Sequence, residues 1–393
     1  MQFKISLYDI LLSLLFLMLI TIFTMSYTTH SYVIFLFMLF VGLIKIAKNR
    51  ILAKTNISLI ASLFLLVWLY GFLLGLFNNK IDYVIANFAG MVLYLLYFVF
   101  SSFKFSKNDI IKILILTSII NVLGSIIYWI YQFINLDNIQ NYAMTTGQVR
   151  LYYFLNMSTY YILLIYTFSL IIMPIKYKIE YYKNVFNIFN QKIYSILFFL
   201  LALIAILLSA SKGFVLGFII LMTLSFLMLN KIYIFKRITN KKIIYVFVFL
   251  LISLPILFML NYEKLFTMIF SSEDLGNQVR FAQFYVLYND LTFFGKGLGA
   301  EVSNNFDGNT YGFELSFVNI FHKFGIMGIL LIIGYLMTFY YIFKRFKKNK
   351  LSSLIALSCM GYLLPSIGNP ILFAPTNVVL HVCALLILDK KDE

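Results

Sequence analysis

Long apolar runs, separated by short polar and basic stretches, make up most of this chain. They lie near 8–27, 31–47, 57–77, 82–103, 110–134 and 151–174, then near 194–210, 213–229, 243–261, 325–343, 352–368 and 371–388. A bilayer core roughly 30 Å thick takes about 20 apolar residues of helix to cross. Backbone polar groups in lipid must pair within their own segment, so runs of this length predict transmembrane helices. The pattern predicts an all-α, polytopic integral membrane protein of about twelve spans, forming a single membrane domain over 1–393. The first run, from Tyr8 to Tyr27, is too long for a cleaved signal peptide and lacks its small-residue ending, so it reads as the first span.

The polar stretches sort by charge. With the N-terminus in the cytoplasm and strict alternation, the inside loops collect the clusters around Lys4, Lys45–Lys54, Lys104–Lys112, Lys176–Lys192, Lys231–Lys242, Lys344–Lys350 and Lys390–Lys391. Of the 31 lysines and arginines, only Lys80, Arg150, Lys212, Lys264, Arg280, Lys296 and Lys323 fall on the outer side. That asymmetry is the positive-inside rule, and it predicts both termini in the cytoplasm. It also gives the formal charge of +16 a membrane meaning, with no nucleic-acid partner expected. Composition agrees, at 62% apolar and 12% charged, where an ordinary globular domain is about a quarter charged. Cys359 and Cys383 fall in apolar stretches and read as small core residues. His30, His322 and His381 have no metal-ligand spacing. No cofactor is expected, since the GKGLG stretch beginning at Gly295 lacks the lysine and strand–helix context of a phosphate loop.

One predicted outer loop is long. Residues 262–312 carry Glu263, Glu273, Asp274, Arg280, Asp290, Glu301 and Asp307, and this segment is expected to hold interfacial helices. Long loops in compact proteins are usually functional. A second outer segment, about 135–150, ends in Arg150. Arg150 (GQVRLYYFLN), Lys212 (SASKGF) and Arg280 (NQVRFAQFYVLYND) all lie on the side the charge rule disfavours. In one reading they converge on an anionic group, and a diphosphate fits because guanidinium forks pair with phosphate oxygens. In the other they contact lipid headgroups or snorkel. Downstream, a helix over 313–324 puts Glu314, Val318 and Phe321 on one face and Asn319, His322 and Lys323 roughly on another. Lys323 deep in lipid would cost about 2.5–3.5 kcal/mol. This stretch is therefore expected along the outer surface, with the span beginning near Gly325. Glu314 is then a carboxylate at the water boundary and a candidate general base. His322 reads as a base, a ligand or a packed side chain.

The segments RLYYFLNMSTY, LLSASKGFVLGFI, RFAQFYVLYNDLTFFGKGLG and ELSFVNIFHKFGIMGIL, in that order, cover roughly 145–335. This arrangement resembles the O-antigen polymerase and O-antigen ligase family of bacterial membrane glycosyltransferases. The resemblance implies metal-free transfer of an undecaprenyl-diphosphate-linked oligosaccharide at the outer, periplasmic face of the bacterial plasma membrane. It also implies that Arg150 and Arg280 match the family's arginines for the diphosphate, while Lys212 stands where the family often has arginine. The ligase branch usually opens its last motif with His-Asn; Glu314-Leu315 stand there instead, which favours a polymerase. Some polymerases also place a glycine eleven positions after each arginine, where this chain has Tyr161 and Leu291.

The expected catalytic residues are Glu314, Arg280 and Arg150, with Lys212, His322 and Lys323 binding substrate. Expected partners are the lipid-linked oligosaccharide, membrane lipids, a chain-length regulator and a flippase. A ligase, a lipid-linked oligosaccharide flippase and a structural envelope protein remain alternatives. A flippase should carry charges within its central spans, and the predicted spans hold almost none at mid-depth.

Overall fold

The computed structural model describes residues 7–22, 28–49, 55–103, 106–134, 157–172, 192–208, 211–233, 275–302, 313, 315–369 and 371–389. All regular structure among them is helical. The α-helices are α1 (Leu7–Ile22), α2 (Thr28–Asn49), α3 (Asn56–Asn78), α4 (Ile81–Met91), α5 (Leu95–Ser101), α6 (Lys107–Ile134) and α7 (Tyr160–Ile172). They continue with α8 (Lys192–Leu208), α9 (Lys212–Tyr233), α10 (Leu275–Asn289), α11 (Ser316–Phe324), α12 (Gly328–Phe346), α13 (Lys350–Cys359) and α14 (Pro375–Asp389). Among the described residues, five helical stretches are long and apolar enough to cross a membrane: Asn56–Asn78, Ile81–Ser101, Lys107–Tyr128, Ser316–Phe346 and Lys350–Ile367. Eleven of the apolar runs overlap described helices, and the run near 243–261 lies outside the described residues.

Helix α3 illustrates how sequence becomes packing. Thr55 Oγ1 accepts from the Ser58 backbone N–H, and Ser58 Oγ accepts from the Thr55 backbone N–H, each at 3.1 Å. This reciprocal capping box satisfies two backbone donors that the first turn leaves orphaned. Beyond the cap the helix is apolar all round. Ile60, Ala61, Phe64, Val67 and Trp68 are buried in protein, while Leu59, Leu66, Leu69 and Leu73 are exposed. A helix apolar on every side belongs in a membrane or a large core, and the leucine stripe supplies a lipid-facing surface.

The centre of the bundle is built from α7, buried from Tyr160 to Leu170, and α14, buried from Asn377 to Leu388. Cys359 and Cys383 are free thiols buried in this core. His381, midway along α14, is fully satisfied there. The single hydroxyl hydrogen of Thr338 goes to Gly334 O at 2.9 Å, so its oxygen accepts from His381 Nε2–H at 3.0 Å. His381 Nδ1 then accepts the Tyr94 hydroxyl hydrogen at 2.6 Å. This neutral, stacked imidazole is a packing element with two partners.

Two ends of the bundle are set apart by the length of α3, 23 residues or about 34 Å at 1.5 Å per residue. At one end the Tyr8 hydroxyl donates to Asp109, Lys45 lies over the Phe103 ring, and Thr55 meets Tyr97. At the other, Asn79, Lys80 and Asn87 meet residues 296–301 and Lys323. The Gly295–Gly299 stretch, which sequence reading left without a role, is the clasp of this second end. Its Lys296 and Gly297 N–H groups donate to His322 O and Lys323 O at 2.8 and 2.9 Å, capping the last carbonyls of α11. Leu298 N–H donates to Gly71 O, and the Asn79 side-chain amide donates to both Lys296 O and Leu298 O, all at 2.8 Å.

Two glycines make that threading possible. Gly297 has φ +84° and lies so close to the Gly75 backbone that a Cβ would collide with it. Gly325, at φ +54°, ends α11, and a Cβ there would collide with Phe293 O. Only glycine takes such φ values without steric cost. The break at Gly325 separates α11 from α12, where the sequence placed the start of the span.

Candidate functional site

Three elements meet at a turn between α13 and α14. The segment Pro365–Ile367 is a short 3₁₀ helix, and Asn369 closes the turn by donating from Nδ2 to Pro365 O at 2.8 Å. Arg280 of α10 reaches this turn and donates from Nε to Gly368 O at 3.0 Å. The first turn of α9 packs on its other side, since a side chain at Gly213 would sit 3.4 Å from Asn369 Nδ2. Tyr161 holds that turn in place by donating to Phe214 O at 2.7 Å. At the start of α11, Ser316 Oγ donates to Asn369 O at 2.7 Å. Arg280, the helix that begins at Lys212 and the beginning of α11 therefore surround residues 365–369.

Helix α10 presents opposite faces to protein and surroundings. Gln283 and Leu287 are buried beneath it, whereas Phe281, Phe284, Tyr285 and Tyr288, at i, i+3, i+4 and i+7, are all exposed. Its C-terminal end leads into an ion cluster. Asp290 accepts from Lys296 Nζ at 2.9 Å and from His322 Nε2 at 2.8 Å. Partial burial pushes the Asp290 carboxyl up, but the His322 and Lys296 hydrogen bonds outweigh it and hold the group below the usual carboxylate range. As a donor to that carboxylate, His322 carries its proton on Nε2. Its Nδ1 is buried and has no hydrogen-bond partner among the described residues, with the Phe313 ring standing edge-on to the imidazole.

A cavity of about 250 Å³ lies beside this cluster, between α4, α11 and the segment 373–375. Ser316, Asn319 and Lys323, at i, i+3 and i+7, present one face of α11 to it. Lys323 is only 7% exposed and donates from Nζ to Asn87 Oδ1, which also accepts the Gly299 N–H at 3.2 Å.

The placement differs from the sequence expectation in two respects. Lys323 was expected along the outer surface; it is buried in protein, with the Asn87 amide taking the place of water at its ammonium. Asn319, His322 and Lys323 were expected on one face, but His322 turns to Asp290 while Asn319 and Lys323 line the cavity. Arg280 and the helix beginning at Lys212 do share one turn, whereas Lys323 reaches the adjoining cavity. Glu314 and Arg150 lie outside the described residues.

Sequence reading missed Asn87 and Asn369 as members of this region, and it named Asn319 and Asp290 without giving either a role. The available signal was polarity out of place, since Asn87 interrupts the apolar run 82–103. Among the described residues, no group of three or more His, Cys, Asp or Glu side chains could hold a metal. Comparison with protein-family models, with curated proteins and with solved structures gave no match.

Proposed function

We propose that this chain polymerises undecaprenyl-diphosphate-linked oligosaccharide repeat units into a surface polysaccharide at the outer face of the bacterial plasma membrane. The observation that carries the reading is the meeting of Arg280 and the first turn of α9, the helix that begins at Lys212, on the 365–369 turn. A guanidinium has five N–H donors in a planar fork, and the bond to Gly368 O fixes the plane of Arg280's fork. Forked donors match the oxygens of a diphosphate. The exposed aromatic stripe of α10 suits the membrane–water boundary, where aromatic rings concentrate. That depth is where a lipid diphosphate resides.

In the reaction, a hydroxyl oxygen of the acceptor sugar forms a bond to the anomeric carbon of the donor glycan. The bond from that carbon to the diphosphate oxygen breaks, and undecaprenyl diphosphate departs with the electron pair. Glu314 takes the hydroxyl proton. Arg280, Arg150 and Lys212 stabilise charge growing on the leaving group, an electrostatic effect that is often the largest contribution to catalysis. Both substrates are tethered to one membrane, so the protein's main task is to orient them.

Deleting the gene and resolving surface glycan by gel tests the reading. Surface glycan carrying single repeat units in place of the long ladder is expected. Free polymer left on its lipid would mean a ligase. Loss of all surface glycan, with units trapped inside, would mean a flippase.

A further inference from the structure

Helices α10 and α11 each touch the 365–369 turn with one side chain. Arg280 Nε donates to Gly368 O and Ser316 Oγ donates to Asn369 O. The same two helices are joined a second time, away from that turn. His322 of α11 donates from Nε2 at 2.8 Å to Oδ2 of Asp290, the residue that follows α10. Between the two junctions, Val286 and Leu287 of α10 and Val318 of α11 pack together with Val302 and Phe313. Arg280 and Asp290 are therefore about 15 Å apart along α10 at 1.5 Å per residue.

The second junction is a closed ring. Asp290 uses its other oxygen, Oδ1, to accept from Lys296 Nζ at 2.9 Å, and the Lys296 backbone N–H donates to His322 O at 2.8 Å. Bonds to an ionised carboxylate are roughly twice as strong as neutral ones. His322 itself is 0% exposed. One ring nitrogen is spent on Asp290, and the other is buried with the Phe313 ring edge-on to the imidazole. Neither nitrogen faces the surroundings, so the imidazole can reach the chemistry only through what it holds.

What it holds is the far end of the helix that carries Arg280. A helix fixed at two points cannot pivot about either, whereas one fixed at a single point can. Misplacing a charged group by about 1 Å can cost about 10²-fold in rate. We propose that His322 is a positioning residue, whose bond to Asp290 fixes α10 against α11 and so aims the Arg280 guanidinium at the diphosphate. The inference rests on the glycosyl-transfer reading for what Arg280 binds. It gives His322 a part in the reaction with no proton transfer and no contact with substrate.

The test complements the deletion strain with His322→Gln, His322→Asn and Asp290→Ala. Initial rates of ladder growth after induction are divided by the amount of each variant in the membrane. A glutamine amide nitrogen reaches the place of Nε2, while asparagine is one methylene too short. His322→Gln should stay within about threefold of wild type, and His322→Asn should lose about 10–100-fold. Asp290→Ala removes the same bond from the other side and should match that loss, so it decides if His322→Asn fails to accumulate. Because the two side chains act as one unit, the double variant should be no slower than either single one.

Equal losses in His322→Gln and His322→Asn would overturn the inference, by showing that the imidazole itself moves a proton or meets substrate. Wild-type rates from His322→Asn or Asp290→Ala, or additive losses in the double variant, would overturn it as well. An unchanged ladder in the deletion strain discards the polymerase reading before any variant is compared. A ladder lost on deletion and restored by the wild-type gene keeps that reading, and the variants then judge His322 alone.

Discussion

Replacing Gly297 by alanine tests whether the glycine-rich stretch is the clasp of the site. At φ +84° an L side chain costs about 1–2 kcal/mol. The new methyl group also meets the Gly75 backbone. That backbone belongs to α3 and cannot retreat cheaply, so the 296–298 strand of chain must move instead. Movement breaks two bonds, Gly297 N–H to Lys323 O at 2.9 Å and Leu298 N–H to Gly71 O at 2.8 Å. Each is worth about 0.5–1.5 kcal/mol net.

Together these effects come to roughly 2–5 kcal/mol. On the per-residue unfolding entropy of globular proteins, that lowers the thermal midpoint of a chain this size by about 2–6 °C. Thermal unfolding of the purified protein in nanodiscs is the assay. Lys296→Ala is the control: it keeps the backbone bond to His322 O and loses only a half-exposed ion pair with Asp290, worth about 0–1 kcal/mol. A Gly297→Ala protein as stable as wild type, or less affected than Lys296→Ala, would refute the reasoning.

Other perturbations address other parts of the structure. Thr338→Val strands the His381 Nε2–H in the core and should cost about 1–3 kcal/mol, read as a lower thermal midpoint; an unchanged midpoint would mean His381 is not held as described. Because the folded Asp290 pKa lies below 3.8, its stabilising contribution is complete above that pH and is lost as pH falls through the depressed folded value. Hydrogen exchange over 290–302 and 316–325 should thus stay slow down to about pH 4 and accelerate below it, with Asp290→Asn already fast near neutrality. Lys80 and Lys348 are exposed at opposite ends of the bundle, and Cys359 and Cys383 are buried. A membrane-impermeant maleimide should label Lys80→Cys in intact cells and Lys348→Cys only after lysis; the reverse order would invert the assigned topology.

The helices were legible because hydrophobic runs report directly on what the backbone can do in lipid. Runs such as 57–77 and 82–103 differ from α3 and the α4–α5 stretch by only a residue or two at either end. The break at Gly325 was legible too, since a glycine after a polar stretch ends a helix at low cost. The partners of Lys323 were not. Whether a lone lysine at a span boundary faces water or an amide depends on what packs beside it, and Asn87 is 236 residues away in the chain. The role of the GKGLG stretch was not legible for a related reason. Its glycines admit a close backbone approach to α3, a need that appears only once α3 and α11 are side by side. The roles of His381 as donor to Thr338 and acceptor from Tyr94 likewise required the packed bundle.

The most direct measurement is the surface-glycan ladder of a deletion strain complemented with Arg280→Ala, with the variant's membrane level matched to wild type by immunoblot. Losing one well-placed donor to a developing anion typically slows turnover by about 10²–10³-fold. The account predicts that the ladder collapses to single repeat units. A full-length ladder from Arg280→Ala would remove that guanidinium from the chemistry and contradict the proposal.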